Sequence, residues 1–204
     1  MPDLALFVAT SALLAIAPGP DVLAVLARGI GQGRRAGLAA AAGFSAGCLV
    51  HTALAALGIA ALIRSSPLAF DLVRYAGAFY LIVIGVKAIR HREAFALQGA
   101  GDTAGLATIF RQSVVGNALN PKVTIFFLSF LPQFVDAGAG GVGVQMAVLG
   151  FVFMAVTMIV FGAVALFSGW VGERLRARPA IGTRLNLVAG CAFIGLGVRV
   201  ALPE

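Results

Sequence analysis

The chain has 204 residues, of which 60% are hydrophobic and only 11% are charged, and its mean hydropathy is +1.00. Soluble domains carry about 25% charged residues, so this composition excludes an ordinary water-soluble domain. The net charge of +7 does not indicate nucleic-acid binding, because the arginines lie in short clusters between apolar runs and not along one basic face. An all-α membrane protein is the class that remains.

Six apolar runs are long enough to span a bilayer, which takes about 20 mainly apolar residues per helix. In chain order they are Leu4–Ala27, Gly37–Ile63, Leu68–Ile89, Ser113–Phe134, Val142–Trp170 and Asn186–Leu202. Residues 92–110, between the third and fourth runs, are polar and rich in small residues, and we expect a linker there. The sequence therefore predicts one transmembrane domain over residues 1–204, with halves at about 1–91 and 111–204.

Basic residues cluster after the first, third and fifth runs. The clusters are Arg28, Arg34 and Arg35, then Lys87, Arg90, Arg92 and Arg111, then Arg174, Arg176, Arg178 and Arg184. By the positive-inside rule this side is cytoplasmic, so both termini are expected outside. Because each half has three helices, the second half is inserted upside down relative to the first. The predicted fold is thus two inverted three-helix repeats, an arrangement known in transporters.

The first and fourth runs are each interrupted by proline. The first contains Pro18-Gly19-Pro20-Asp21, and the fourth contains Asn117 followed by Asn120-Pro121-Lys122. Proline is tolerated at the first helical position, and glycine and asparagine both act as N-caps. Each break is therefore predicted to start a new half-helix, with free N–H groups and a positive dipole end inside the membrane. Open backbone at that depth is tolerated only against protein or a watery cavity.

The two breaks carry opposite charges at matching positions. Asp21, in the first turn of its half-helix, suits the positive dipole end, whereas Lys122 opposes it. A lysine inside the bilayer costs roughly 2.5–3.5 kcal/mol on insertion scales. Either Asp21 or a bound anion would offset that cost. The structural alternative is a pair of proline kinks whose Asp and Lys lock two helices together.

Other polar residues inside the runs give weaker signals. His51 is a candidate for proton relay or cavity lining, and Tyr80 for cavity lining, with packing an equal alternative for each. With two His, two Cys and no carboxylate pair within the helices, the sequence contains no metal cluster and no catalytic triad. It has no Walker sequence either. We therefore expect no enzymatic activity, no metal and no cofactor, and an ion gradient as the energy source.

Four stretches together resemble the lysine exporter family of amino-acid efflux permeases, in the branch that includes homoserine and threonine exporters. They are PGPD at Pro18–Asp21, GRRAGLAAAAGFSAG at Gly33–Gly47, GAFYLIVIGVKAIR at Gly77–Arg90 and NPKVTIFFLSFLPQFV at Asn120–Val135. The resemblance implies export of small amino acids or derivatives across the bacterial inner membrane, driven by the proton motive force. It also implies substrate binding by Pro18, Gly19, Pro20, Asp21, Asn117, Asn120, Pro121 and Lys122.

A zwitterionic substrate suits the two breaks. Its carboxylate can meet half-helix N–H groups and Lys122, and its ammonium can meet Asp21, asparagine side chains and freed carbonyls. We expect Asp21 and Lys122 to pair in the empty carrier and to separate around substrate. Asp21 is also the candidate for the coupling proton, because burial disfavours the charged form of a carboxylate.

Two other functions stay open at this point. One is export of another small solute or a cation, and the other is a membrane scaffold or assembly factor that transports nothing. The sequence does not identify the amino acid or the coupling ion. It also leaves open whether the breaks are kinks or re-entrant hairpins, and whether the protein forms a homodimer.

Overall fold

The computed structural model describes residues 4–59, 61, 67–90, 103–136, 138–178 and 180–202. Within these ranges the chain forms nine α-helices and no β-strand. They are α1 Leu4–Ile16, α2 Pro20–Gln32, α3 Arg34–Ala53, α4 Pro67–Arg90, α5 Leu106–Ala118, α6 Pro121–Ser129, α7 Val142–Leu166, α8 Ser168–Ala177 and α9 Ala180–Ala201. A π-helical turn at Leu54–Ile59 continues α3, and a 3-10 turn at Leu131–Phe134 follows α6.

Four of the described helices are long and apolar enough to cross a membrane, namely α3 with its π turn, α4, α7 and α9. The remaining two candidates are bent pairs. The α1 and α2 axes differ by 59°, and the axis of α5 differs by 49° from that of α6 with its 3-10 turn. Counting each pair as one span gives six spans. The helical membrane class is therefore confirmed, and both interruptions lie in the runs where proline predicted them.

Several helix boundaries differ from the sequence prediction. Helix α5 begins at Leu106, inside the segment expected to be a linker, because Gly105 acts as its N-cap and apolar residues follow directly. The fifth run ends at Leu166 and a short separate helix α8 follows it. Helix α9 starts at Ala180, six residues before the expected Asn186. Residues 91–102, which make up most of the expected linker, lie outside the described residues.

Helix α3 is surrounded by its neighbours, packing against α2, α5 and α7, while α4 packs along α9. Small residues make these contacts close. A Cβ added to Gly85 of α4 would lie 2.7 Å from the carbonyl oxygen of Gly190 in α9, and one added to Gly197 would lie 2.7 Å from that of Ala78. Similarly, a Cβ on Gly47 would lie 2.7 Å from Cβ of Asn117. The close packing of α3 and α5 places Asn117 in the interior.

An aromatic cluster fills the core beside the second break. Phe126 of α6 and Phe130, the residue that caps its end, have tilted rings with centroids 4.9 Å apart, and Phe126 lies 5.3 Å from Phe153 of α7. Phe7 of α1 lies 5.1 Å from Phe134. All five rings are buried. This cluster holds α1, α6 and α7 together and so fixes the distance between the two broken helices.

Candidate functional site

The first break lies between the end of α1 at Ile16 and the start of α2 at Pro20. Gly19 is the N-cap and has extended backbone (φ −173°, ψ 171°), which any residue can adopt. Its missing side chain matters for another reason, because an added Cβ would lie 3.3 Å from Nζ of Lys122. Asp21 follows in the first turn of α2 and is 7% exposed. The half-helix therefore begins at the predicted proline and presents a buried carboxylate at its positive end.

The second break lies between Ala118 and Pro121. Asn120 is the N-cap of α6, and its side-chain Oδ1 accepts a hydrogen bond of 2.9 Å from the backbone N–H of Lys122. This is the usual way in which asparagine satisfies one of the open N–H groups of a helix. With the cap and Pro121 in place, α6 also starts where the sequence predicted. Asn117, one turn before, closes the preceding helix.

The carboxylate of Asp21 joins the two breaks. Its Oδ2 accepts a 2.8 Å hydrogen bond from the side-chain amide of Asn117, and its Oδ1 accepts one of 2.8 Å from that of Asn120. All three side chains are at least nine-tenths buried. Hydrogen bonds to a charged acceptor are stronger than neutral ones, so they help to hold a carboxylate at this depth. The structure thus brings together three of the predicted site residues around one charge.

Lys122 is held by backbone carbonyls. Its Nζ donates hydrogen bonds to the carbonyl oxygens of Leu14, at 2.9 Å, and Ala17, at 3.0 Å, and lies 5.4 Å from the ring centroid of Phe193. Leu14 lies in the last turn of α1 and Ala17 directly follows the helix, where the break leaves carbonyls without partners in a next turn.

The direct pair of Asp21 with Lys122 that we expected is therefore not formed in this conformation. Among the described residues, the amides of Asn117 and Asn120 are the groups that donate to the carboxylate. The freed carbonyls of α1 accept from the ammonium. The sequence analysis assigned the asparagine side chains and freed carbonyls to the substrate, whereas in this conformation they satisfy the charges of Asp21 and Lys122 separately.

Five of the predicted residues line one cleft with a free volume of about 20 Å³, which is room for about one water molecule. They are Gly19, Asp21, Asn117, Asn120 and Lys122. The other eight residues that line the cleft are apolar except for Thr157, which has a hydroxyl group. These other residues are Leu14, Ala15, Ala17, Val22, Val123, Phe153, Thr157 and Phe161. A mostly apolar cleft with a few convergent polar groups is the usual form of a small-molecule site.

The other predicted residues lie around the cleft without lining it. Pro18 is half-buried, while Pro20 and Pro121 are exposed and act as helix starters. His51 is buried behind the second break, with its Nε2 at 2.9 Å from the backbone oxygen of Asn117. Tyr80 is half-buried on α4 and is not among the residues that line the cleft.

Sequence reasoning missed the contribution of α7. Phe153, Thr157 and Phe161 are spaced by four residues, so they lie on one face of the helix and together form a wall of the cleft. The available signal was a single hydroxyl residue in the otherwise apolar stretch from Phe151 to Phe161.

Comparison with known proteins identifies the family. Residues 12–203 match the family described as LysE type translocator. The chain belongs to this family. It is 31% identical over 198 residues to a leucine efflux protein of Enterobacter sp. (strain 638), covering 96% of this chain and 93% of the relative. The resemblance stated from four sequence motifs is therefore confirmed.

Other relatives of this LysE type translocator have similar coverage. A leucine efflux protein of Salmonella typhimurium (strain LT2) is 30% identical over 92% of this chain and 89% of its own length. An uncharacterized membrane protein of Vibrio cholerae is 30% identical over 97% of this chain and 96% of its own length. No solved structure matches the chain at a significant level. Family membership and the apolar helices make the protein a multi-pass membrane transporter, consistent with the bacterial inner membrane.

Proposed function

We propose that this LysE type translocator is a secondary active exporter of small amino acids, with leucine-like apolar side chains as the favoured class. The observation that carries the proposal is the cleft at the two helix breaks. It combines a carboxylate and an ammonium group, each held by neutral dipoles, with aliphatic and aromatic lining. The curated relatives named leucine efflux proteins, which match over most of their length, point to the same substrate class.

Recognition of the zwitterion follows from the hydrogen bonds at the breaks. The substrate ammonium is chemically equivalent to the ammonium of Lys122, since each has three N–H donors. In the proposed cycle it replaces Nζ of Lys122 at the carbonyl oxygens of Leu14 and Ala17. Lys122 then turns to the substrate carboxylate, and Asp21 lies beside the substrate ammonium. The cleft has room for about one water molecule in this conformation, so it widens in the proposed cycle for the aliphatic side chain to pack against its apolar lining.

An inverted repeat supplies the two alternating conformations in this proposal. Its support is the reciprocal packing of the two halves. Helices α1 and α2 pack against α7, the second long helix of the other half, and α5 and α6 pack correspondingly against α3. The third helices of the halves, α4 and α9, pack against each other. Rocking of one half against the other would expose the cleft to each side in turn, with both termini outside the cell.

Asp21 is the proposed carrier of the coupling proton. It is a buried carboxylate that lines the cleft, and its amide partners remain hydrogen-bonding groups whether it is charged or neutral. Protonation from outside would weaken its hold on the substrate ammonium and favour release. Loss of the proton to the cytoplasm would restore a charged site for the next substrate.

Proteoliposomes containing the purified protein test the proposal. Vesicles loaded with unlabelled leucine should take up labelled leucine by exchange, and a pH gradient should drive accumulation of labelled leucine. Asp21→Asn is expected to abolish accumulation driven by the pH gradient, and Asp71→Asn, on the lipid-facing helix α4, is the matched control that should keep it.

Three outcomes contradict parts of this proposal. A wild-type protein that exchanges no amino acid would indicate a scaffold or assembly factor. Transport of labelled sodium or potassium ions without leucine would indicate a cation exporter. If Asp21→Asn accumulates leucine at the wild-type rate, amino-acid export stands but Asp21 does not carry the coupling proton.

A further inference from the structure

Thr157 is the one hydroxyl side chain among the residues that line the cleft. It is 3% exposed, and within the described part of the chain its Oγ1 makes no hydrogen bond of normal geometry, its one polar neighbour being the weakly bonding thiol of Cys48. Leaving a buried hydroxyl without a partner costs on the order of 1–3 kcal/mol. A hydroxyl that lines a ligand cleft gains its partner when the ligand is bound.

Three other threonines, in α1, α3 and α6, behave differently. Thr10, Thr52 and Thr124 each donate to the carbonyl oxygen four residues earlier, at 2.8, 2.8 and 3.1 Å. This local bond is the usual solution for a threonine inside a helix. Thr157 does not make it with the carbonyl of Phe153. Because Thr157 lines the cleft, its hydroxyl is available to a ligand that binds there and opens the cleft.

The neighbours of Thr157 place it at the Asp21 end of the cleft. Beside it lies the thiol of Cys48. That thiol is directed at the carbonyl oxygen of Phe44 and at Oδ1 of Asn117, both at 3.5 Å. Asn117 in turn donates to the carboxylate of Asp21. Thr157 is thus linked through Cys48 and Asn117 to the charge that is proposed to face the substrate ammonium.

We propose that Thr157 is a substrate-binding residue whose Oγ1 accepts a hydrogen bond from the substrate ammonium, next to Asp21. The inference rests on the function proposed above and deepens it. Phe153 and Phe161, one turn away on either side, border the substrate and keep water from the hydroxyl. Helix α7 thereby contributes a polar ligand to a site whose other polar groups come from the two breaks.

Thr157→Val tests this assignment, because valine keeps the shape of threonine and removes the hydroxyl. Binding of three ligands to the purified protein is measured by calorimetry. They are leucine, leucinol, which keeps the ammonium but lacks the carboxylate, and 4-methylpentanoate, which lacks the ammonium. The variant should bind leucine and leucinol about ten-fold more weakly or worse, the loss expected for a hydrogen bond to a charged group. Its affinity for 4-methylpentanoate should stay within about two-fold of the wild-type value.

Two control variants separate binding from folding. Thr157→Ser keeps the hydroxyl and should keep leucine affinity near that of the wild type. Thr52→Val removes a buried hydroxyl that is already bonded to Cys48 and does not line the cleft, so leucine affinity should be unchanged. Equal losses for all three ligands in Thr157→Val would show a structural role and overturn the assignment. Unchanged leucine affinity would overturn it as well.

The same series distinguishes this inference from the proposed function. Losses for leucine and 4-methylpentanoate but not for leucinol would place the hydroxyl at the carboxylate, and the ammonium assignment would be wrong while amino-acid binding stands. If the wild-type protein binds none of the three ligands, the proposed function itself fails, and this assignment fails with it.

Discussion

Asn120 makes two hydrogen bonds, one that caps α6 and one to the carboxylate of Asp21. The variant Asn120→Asp keeps the first and removes the second. In the wild type, Oδ1 of Asn120 accepts from the N–H of Lys122, and Nδ2 donates to Oδ1 of Asp21 at 2.8 Å. Aspartate keeps the cap, because it is as good an N-cap as asparagine. It loses the donor, however, and places a second carboxylate against the first. The variant should therefore fold with an intact α6 but with two opposed negative charges in its core.

The expected loss of stability in Asn120→Asp depends on whether both carboxylates stay charged or one of them is protonated. If both carboxylates stay charged, the protein loses a hydrogen bond of about 1.5–3 kcal/mol. It also gains a repulsion of about 4 kcal/mol at 4 Å with an effective dielectric constant near 20. If one carboxylate takes up a proton, the hydrogen bond between the side chains is restored. Protonating an ordinary aspartate at pH 7 costs about 4 kcal/mol. The second route costs less, so we expect a loss of about 4 kcal/mol at pH 7.

This route makes the loss depend on pH in a defined direction. The folded variant binds one more proton than the unfolded chain near neutral pH, so its stability relative to the wild type rises as the pH falls. The loss should shrink by about 1.4 kcal/mol per pH unit, to roughly 1 kcal/mol at pH 5. Free energies of unfolding from titration with a denaturing detergent at both pH values would measure it.

Two comparison variants make the test specific. Asn120→Gly keeps an acceptable N-cap residue, at a cost of only a few tenths of a kcal/mol, and removes the donor without adding charge, so it should lose about 1.5–3 kcal/mol at both pH values. The double variant Asp21→Asn/Asn120→Asp exchanges the two groups and restores a carboxylate next to an amide. It should recover at least half of the stability lost at pH 7. Equal stability of Asn120→Asp and Asn120→Gly at both pH values would refute the contact with Asp21.

Three further predictions concern the surroundings of the cleft. Lys122→Met removes the cation that is proposed to meet the substrate carboxylate and should lower leucine exchange at least about ten-fold, measured in proteoliposomes. Gly47→Ala forces a Cβ to 2.7 Å from Cβ of Asn117 and should destabilise the protein by about 1–3 kcal/mol, whereas Gly58→Ala, with nothing within 4 Å, should not. Arg74 donates at 2.8 Å to a carbonyl at the end of α9, so Arg74→Met should lower the unfolding free energy by about 1–2 kcal/mol.

The positions of both helix breaks could be predicted from the sequence because proline follows a local rule. Pro20 and Pro121 start helices in the structure, each preceded by a residue that acts as N-cap. The two breaks were also expected to meet, since opposite halves place them at similar depth, although Asp21 was expected to pair with Lys122 and not with the amides of Asn117 and Asn120. These predictions needed only residue types and helix geometry.

The partner of Lys122 could not be predicted in the same way. It depends on where α1 ends, because only the last turn of a helix has carbonyls to offer. The start of α5 at Leu106 was missed for a related reason. The residues directly after Gly105 are mostly apolar and extend the helix beyond the membrane-spanning run. A hydropathy pattern alone does not show whether such residues belong to the helix or to the linker. Thr157 was missed because a single hydroxyl in an apolar helix is usually bonded to its own backbone.

The separate neutral partners of Asp21 and Lys122 suit a carrier better than a direct ion pair does. Removing one partner from a buried ion pair costs about 3–5 kcal/mol, and a substrate would have to supply that energy on entering. A hydrogen bond between a charge and a neutral group contributes about 1.5–3 kcal/mol. A substrate ammonium that replaces Lys122 at the carbonyls of α1 makes the same kind of bond as the one it breaks, so the exchange is nearly balanced. A transporter needs this balance, because a site that binds too tightly cannot release its substrate on the other side.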